Sequence, residues 1–145
     1  MLIDVKEYVN RADIASLLEV AVYSDEEELA SATHLYTIDS AYQLYALRQE
    51  EDWVGVIGYK LLEDDTFQIE HIAVSPEHRD QGYGRALVLE LLIDQSPQRL
   101  IAKVDEEVVD FYRSIGFVVV SLPSEIPGIE QYLCTYEAEP PTDEA

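Results

Sequence analysis

The sequence predicts a mixed α/β fold, a sheet with helices on both of its faces, from three observations. Two helical segments come first, strands joined by short turns follow, and strand–helix–strand units make up the rest. Short turns join antiparallel strands, whereas a strand–helix–strand crossover joins parallel ones. We therefore expect a central, mostly antiparallel sheet of about six or seven strands with a locally parallel region.

The N-terminal part of the chain is predicted to be helical. Apolar residues recur at the spacing of one helix face over residues 12–23, which is typical of an amphipathic helix. These residues are Ile14, Leu17, Leu18 and Val22. A second short helix is expected over residues 25–33, because Ser24 can serve as its N-cap and acidic residues occupy its first turn.

Six segments have the composition of strands and are bounded by turn residues. They cover residues 42–48, 53–62, 67–74, 98–104, 117–120 and 131–136. Ser75-Pro76 ends the third of these strands, since proline cannot donate a hydrogen bond within a central ladder.

Two more helices separate the later strands. Leu87, Val88, Leu91 and Leu92 have helical spacing and predict a helix over residues 84–94. Asp105 is the expected N-cap of the next helix, because acidic residues that suit the positive end of the helix dipole follow it. We expect that helix to end at Gly116, a residue typical of the position after a helix.

Length and composition indicate one domain over residues 1–136 and an acidic tail over residues 137–145. The chain has 145 residues, is 48% hydrophobic and contains one cysteine, Cys134. A single thiol cannot form an internal disulfide, and the three histidines lack the spacing of zinc ligands, so we expect no metal. Without a signal-peptide pattern or an apolar run of ~20 residues, we expect a cytoplasmic protein that does not contact membranes.

The formal net charge of −21 bounds the choice of partners. Nucleic acids and anionic membranes are bound through Lys and Arg, so neither is an expected partner. Two interpretations of the acidity stay open. It can provide a solvated surface that keeps the protein soluble, or a field that attracts a cationic substrate such as an amine.

A glycine-containing turn over residues 79–85 joins a predicted strand to a predicted helix. Glycine permits positive φ and close approach of a ligand, and we expect both at Gly82 and Gly84. The first amides of the following helix have no partner within it and, with the helix dipole, suit a pyrophosphate. Arg79 and Arg85 add positive charge. Because the sequence matches neither a Walker A loop nor a Rossmann fingerprint, the alternative is an ordinary glycine turn.

Two segments resemble the motifs of one family. Residues 72–87, Ile-Ala-Val-Ser-Pro-Glu-His-Arg-Asp-Gln-Gly-Tyr-Gly-Arg-Ala-Leu, resemble motif A of the GNAT superfamily, the Gcn5-related N-acetyltransferases. Residues 105–117, Asp-Glu-Glu-Val-Val-Asp-Phe-Tyr-Arg-Ser-Ile-Gly-Phe, resemble motif B. The resemblance covers residues 42–120 and implies a GNAT-like fold with a splayed parallel strand pair. It also implies transfer of the acetyl group of acetyl-CoA to a primary amine by direct attack in a ternary complex.

The resemblance implies roles for matching residues. The backbone of Ile72, Ala73 and Val74 would pair with the pantetheine arm, and the loop amides would hold the pyrophosphate. The loop residues so implied are Arg79, Asp80, Gln81, Gly82, Tyr83, Gly84 and Arg85. Tyr112 would lie near the thioester sulfur and act as general acid for the leaving thiolate; the alternative is that it packs against Phe111. The Val74 amide would polarise the thioester carbonyl.

Two residues depart from motif B. Asp105 replaces the usual asparagine and Val108 the usual alanine. An aspartate keeps the oxygen acceptor needed for an N-cap but lacks the amide donor that the usual asparagine would offer to a cofactor.

Glu70 is the expected general base, directly or through a water, because it immediately precedes the cofactor-binding segment. A base is needed because a lysine-like amine, with a pKa of ~10.4, must lose a proton before it attacks. The alternative is that Glu70 is an ordinary surface carboxylate. His71, expected on the opposite face of the strand, is a second candidate base, and the alternative is that it is a buried structural histidine. Cys134 is expected to be a buried apolar residue rather than a nucleophile.

The N-terminal helices and early strands are expected to bind the acceptor amine, whose identity the sequence does not give. Plausible lining residues are Tyr23, Tyr36, Tyr42 and Tyr45. The alternative to an enzyme is a noncatalytic CoA-binding GNAT-fold module with a regulatory or scaffolding role. By resemblance, a homodimer is expected.

Overall fold

A seven-stranded sheet forms the centre of the protein. The computed structural model describes residues 2–123 and 126–138. The strands are β1 Leu2–Asp4, β2 Tyr42–Gln49, β3 Asp52–Leu62, β4 Thr66–Val74, β5 Arg99–Asp105, β6 Val118–Leu122 and β7 Gln131–Glu137. Their spatial order is β1-β2-β3-β4-β5-β7-β6, and adjacent strands are antiparallel except β4 and β5, which are parallel. The predicted mixed sheet is confirmed.

Four α-helices within the described residues cover the two faces of the sheet. They are α1 Ala12–Ala21, α2 Glu26–Ile38, α3 Tyr83–Gln95 and α4 Glu106–Ser114, and 3₁₀ turns form at Lys6–Tyr8 and Pro76–His78. Helices α1 and α2 pack on one face, and α3 and α4 pack on the other. Helices on both faces were predicted, and this too is confirmed.

Each face of the sheet has its own apolar core. Leu18 and Leu44 lie in the core beneath α1 and α2, and Leu87 and Leu100 lie in the core beneath α3 and α4; none of the four is exposed. Burying a side chain of this size stabilises the fold by ~1.5–3 kcal/mol relative to leaving it in water. The two cores hold the central strands rigidly between them.

Aspartate side chains begin two of the helices. Asp105 caps α4 as predicted, and its Oδ1 accepts hydrogen bonds from the amides of Glu107 (3.0 Å) and Val108 (3.2 Å). The predicted cap of α2 was wrong, because Asp25 rather than Ser24 caps that helix. Ser24 has a φ of 61°, whereas an N-cap residue is extended.

Further differences from the prediction include one additional strand and several element ends. Strand β1 pairs with β2, with Ile3 opposite Ala46, but three residues are too few to give a sequence pattern. Helix α2 continues to Ile38, beyond the predicted end at residue 33. Glu137, assigned to the tail, lies in β7 opposite Arg99 of β5. Residues 139–145 of the predicted tail lie outside the described residues.

Candidate active site

The parallel strands β4 and β5 separate along their length. Residues Thr66–Ile69 of β4 pair with residues Arg99–Ala102 of β5, and the pairing ends there. Beyond Ile69, β4 remains paired with β3, where Val74 lies opposite Gly55. The edge of β4 that faces β5 is therefore open along residues 70–74. Ile72, Ala73 and Val74, expected to bind the pantetheine arm, lie on this open segment.

A β-bulge in β4 falls at Glu70. Tyr59 of β3 lies opposite Ile69, and the next ladder position pairs Gly58 with His71, so Glu70 is the extra residue. The bulge changes which face the following side chains occupy. Ile69 packs with the α3/α4 core, whereas Ala73 packs with the α1/α2 core. An uninterrupted strand would have placed both on one face.

The loop after β4 ends in a helix start that has no side-chain cap. Asp80 and Gly82 have φ of 63° and 82°, and Gly82 occupies the N-cap position of α3. Alone among the four described α-helices, α3 has no acidic residue in its first turn. Arg79 and Arg85, both exposed, flank this turn. In a chain of charge −21, this helix start suits an anion.

Gly84 does not have the positive φ that was predicted for it. Positive φ was expected at both loop glycines, but it occurs at Gly82 and not at Gly84. A β-carbon at Gly84 would lie 3.2 Å from Cε1 of Phe111, so glycine here allows α3 and α4 to approach closely. A β-carbon at Gly82 would meet nothing within 4 Å, which leaves open space in front of the helix start.

A cleft of about 230 Å³ joins the open strand to the N-terminal helices. Ile72, Ala73, Val74 and Arg79 line one side, and Tyr23 lies with them. Val20 and Ala21 of α1 complete the lining. Their only signal in the sequence is that they fall within the predicted first helix. Four of the residues expected to bind the cofactor are thus brought together with one tyrosine expected to contact the acceptor.

Tyr112 lies in the core between aromatic rings. Its ring is edge-on to Phe111 (centroids 5.0 Å apart) and to Phe117 (5.2 Å), and only 1% of the residue is exposed. Burial raises the pKa of the Tyr112 hydroxyl, and the nearby Cys134 thiol adds to the rise. Tyr112 therefore does pack against Phe111, as the alternative to a catalytic role predicted. A raised pKa keeps the hydroxyl protonated, as a general acid requires, and the acid role stays a prediction.

Glu70 and His71 lie on the same face of β4, so the expectation that they face apart was wrong. The Tyr36 hydroxyl is 2.7 Å from Nδ1 of His71. Burial raises the pKa of Tyr36 and that of Tyr42, and the charge of Glu70 adds to both. Burial also lowers the pKa of His71. Glu70 and His71 share a face because the bulge interrupts the alternation of side chains on which the expectation rested.

The tyrosines expected to line the acceptor site do not all lie on one face of the sheet. Tyr36 and Tyr42 lie beside Glu70, whereas Tyr45 stacks on Tyr59 and packs with the opposite core. Cys134 is buried in that core, as expected, and burial raises the pKa of its thiol.

No group of His, Cys, Asp and Glu side chains within the described residues could hold a metal ion. No helix among them is long and apolar enough to cross a membrane.

Comparison with known proteins identifies the family. Residues 12–132 match the family model described as the acetyltransferase (GNAT) domain. The chain is 31% identical, over 88 residues, to an uncharacterized N-acetyltransferase encoded in the lysA 3′ region of Bacillus methanolicus. That match covers 61% of this chain and 73% of the relative.

Solved structures share the fold at lower identity. An aminoglycoside 6′-N-acetyltransferase complexed with coenzyme A superposes with a TM-score of 0.77, at 13% identity and 99% coverage of both chains. A chimeric spermidine N-acetyltransferase from Vibrio cholerae superposes with a TM-score of 0.72, at 18% identity, covering 94% of this chain and 96% of that one. The sheet with its separating parallel pair is thus the GNAT-like fold that was expected.

Proposed function

The chain belongs to the GNAT acetyltransferase family, and from that premise we propose that it transfers the acetyl group of acetyl-CoA to a primary amine in a ternary complex. One observation carries the proposal. The opening between β4 and β5 leads to a helix start that has no side-chain cap, lacks acidic residues and is flanked by two arginines. An extended arm that ends in a pyrophosphate is the ligand chemistry that this arrangement suits.

The residues that would hold acetyl-CoA lie on consecutive parts of the chain. We propose that the free backbone edge of Ile72–Val74 binds the pantetheine arm. The loop and first-turn amides of residues 79–85, with the Arg79 and Arg85 guanidinium groups, would bind the pyrophosphate. When bound, acetyl-CoA supplies a thioester whose carbonyl carbon is open to attack by an amine, and the Val74 amide is the proposed donor to its oxygen.

We propose Glu70 as the group that takes the proton from the acceptor ammonium, directly or through a water. Its carboxylate is half-buried at the bulge, where β4 and β5 have already separated. The net charge of −21 supports a cationic acceptor, which the protein field would attract. Spermidine and aminoglycosides, after which the two structurally similar enzymes above are named, are amines of this kind.

Direct attack is supported by the position of the thiol. Cys134 lies in the α3/α4 core and is 0% exposed, so it is poorly placed to form an acyl-enzyme. Tyr112 is the proposed acid for the departing thiolate. In that role the Tyr112 hydroxyl must come within hydrogen-bonding distance of the sulfur of CoA.

A noncatalytic CoA-binding module is the second candidate function. The complete burial of Tyr112 against Phe111 and Phe117 favours it, because a buried hydroxyl cannot protonate a thiolate without movement. Turnover with amines separates the two functions, since both predict binding of CoA.

The first experiment is a calorimetric titration of acetyl-CoA into the wild type, Gly82→Trp and Gly128→Trp. The two glycines are matched, because their φ values are 82° and 84° and a β-carbon at either meets nothing within 4 Å. Backbone strain is therefore similar, but the Gly82 side chain would obstruct the phosphate site. We expect micromolar binding to the wild type and Gly128→Trp, with at least about a tenfold loss in Gly82→Trp. A folded wild type that does not bind would contradict the proposal.

The second experiment tests turnover. Acetylation of a panel of polyamines, aminoglycosides and lysine peptides is measured for the wild type, Glu70→Gln and Tyr112→Phe. General acid–base groups contribute about 10²–10⁴-fold, so we expect each variant to lose at least about 10²-fold in kcat while its acetyl-CoA affinity is kept. Binding without turnover on any amine would favour the noncatalytic module.

A further inference from the structure

We propose that Tyr36 and His71 form a proton relay that carries to solvent the proton that Glu70 takes from the acceptor amine. The inference rests on the proposed function. Acetylation of an ammonium group by a thioester forms an amide and a thiol and releases one proton, which has to leave the half-buried site. Tyr36, His71 and Glu70, from two elements of the fold, lie together where that proton is released.

Gly58 provides the space that the Tyr36 hydroxyl occupies. A β-carbon at Gly58 would lie 1.8 Å from Oη and 2.6 Å from Cζ of Tyr36. Tyr36 extends from α2 down to the sheet and is completely buried, and its ring is edge-on to Tyr42 (centroids 5.9 Å apart). A phenylalanine would fill the apolar part of this site equally well. The hydroxyl is therefore the feature that needs an explanation.

The bulge in β4 supplies the hydrogen-bond partner of that hydroxyl, His71, and places a carboxylate near it. Because Glu70 is the extra residue, its side chain lies on the same face of β4 as that of His71, whose Nδ1 is 2.7 Å from the Tyr36 hydroxyl. The charge of Glu70 acts on both Tyr36 and Tyr42. The ionisable groups around the Tyr36–His71 pair are Glu70 from β4 and Tyr42 from β2. The α1 residues of the same core are apolar, and they are Ile14, Leu17 and Leu18.

Protonation states set the direction of the hydrogen bond. Burial and the charge of Glu70 raise the pKa of Tyr36, so its hydroxyl stays protonated and donates to His71 Nδ1. Burial lowers the pKa of His71, so the imidazole is neutral and Nδ1 can accept. The imidazole proton then sits on Nε2, for which no hydrogen bond exists within the described residues.

The relay carries one proton from the substrate to solvent. The substrate ammonium gives a proton to the Glu70 carboxylate. The resulting carboxylic acid gives its proton, through a bridging water, to Oη of Tyr36 as the Tyr36 hydroxyl proton passes to Nδ1 of His71. The imidazolium releases its Nε2 proton to water, and exchange with solvent restores the starting tautomer. Glu70 is thereby returned to its ionised form for the next turnover.

Nitrogen NMR of the ¹⁵N-histidine-labelled protein tests the pair without any activity. The chain has three histidines, which makes the signals straightforward to assign by substitution. We expect neutral His71 to carry its proton on Nε2. Because a donor to Nδ1 stabilises the neutral ring, Tyr36→Phe is expected to raise the His71 titration midpoint. A proton on Nδ1, or an unchanged midpoint in Tyr36→Phe, would overturn the relay.

Kinetics with the best amine of the panel tests the role in turnover. We expect His71→Gln to lower kcat by about tenfold or more with acetyl-CoA affinity unchanged, and added imidazole to restore part of the rate. Tyr36→Phe should lower kcat similarly, and the double variant should lose little more, because both residues act in one path. His34→Gln on the exposed face of α2 and Tyr59→Phe in the opposite core are the controls.

The outcomes separate the relay from the proposed function. A wild type that neither binds nor uses acetyl-CoA contradicts the proposed function. A wild type that turns over amines while His71→Gln keeps its full kcat contradicts the relay alone. A loss of kcat in His71→Gln that imidazole does not relieve, with the His34→Gln control unaffected, also counts against it, since a purely structural role would give that result.

Discussion

Gly55 of β3 and Ala73 of β4 approach so closely that no side chain fits between them. A β-carbon at Gly55 would lie 2.7 Å from the carbonyl oxygen of Ala73 and 2.9 Å from Cδ1 of Leu87. The first neighbour is backbone, and the second is a buried core residue of α3. The strand proposed to bind pantetheine and the helix proposed to bind pyrophosphate therefore both close onto β3 at this glycine.

Gly55→Ala is expected to destabilise the fold by about 1–3 kcal/mol, because the backbone clash forces β3 and β4 apart. The measurement is the free energy of unfolding by urea denaturation. Leu87→Ala in the same background would relieve the second contact but not the first, so the double variant should remain less stable than Leu87→Ala alone. Equal stability of those two variants would contradict the interpretation.

The fold could be predicted from the sequence because its elements have strong local signals. Apolar spacing identified α1 and α3, and Asp105 identified the start of α4, since a cap acts on amides a few residues away. The parallel pair also followed from local order, because a strand–helix–strand unit has few ways to pack. These signals depend on neighbours along the chain, which the sequence contains.

The arrangement of the site could be predicted only in part. The glycine loop and its arginines could be proposed as an anion site from the sequence alone, because the chemistry of such a site resides in one short segment. The bulge at Glu70 could not be, since residues 66–74 form an acceptable strand and the extra residue exists only relative to β3. The relation between Gly58 and Tyr36 joins β3 to α2 and also depends on tertiary packing.

Removal of either loop arginine should weaken acetyl-CoA binding. Arg79→Gln and Arg85→Gln are each expected to lower the affinity by about fivefold at low salt, and by less at high salt, since exposed charges are screened. Calorimetry at two ionic strengths measures this. Arg99→Gln is the matched control, because Arg99 is exposed but pairs with Glu137 at 3.1 Å, away from the loop. An Arg99→Gln loss equal to that of the loop variants would argue against a local phosphate site.

Substitution of Asp105 separates its capping role from its charge. Asp105→Ala should cost about 1 kcal/mol of stability, because the amides of Glu107 and Val108 lose their acceptor. Asp105→Asn keeps an oxygen acceptor and should be nearly as stable as the wild type. We also expect Asp105→Asn to bind acetyl-CoA at least as tightly, since it removes a negative charge from the end of β5, the strand that separates from β4. Urea denaturation and calorimetry check the two parts, and weaker binding by Asp105→Asn would contradict the second.

Alkaline pH is expected to destabilise the protein through its buried tyrosines. Burial raises the pKa values of Tyr36, Tyr59 and Tyr112, so the folded state favours the neutral phenol. An unfolded tyrosine ionises near pH ~10, so the stability from each neutral phenol is complete below that pH and is lost above it. Above that pH, each of these groups should lower the free energy of unfolding by about 1.4 kcal/mol per pH unit.

Urea denaturation at rising pH, with tyrosinate absorbance as the second signal, measures this loss. Tyr59→Phe should make the loss less steep, because it removes one of the buried phenols. Equal slopes for Tyr59→Phe and the wild type would show that Tyr59 is free to ionise in the folded state.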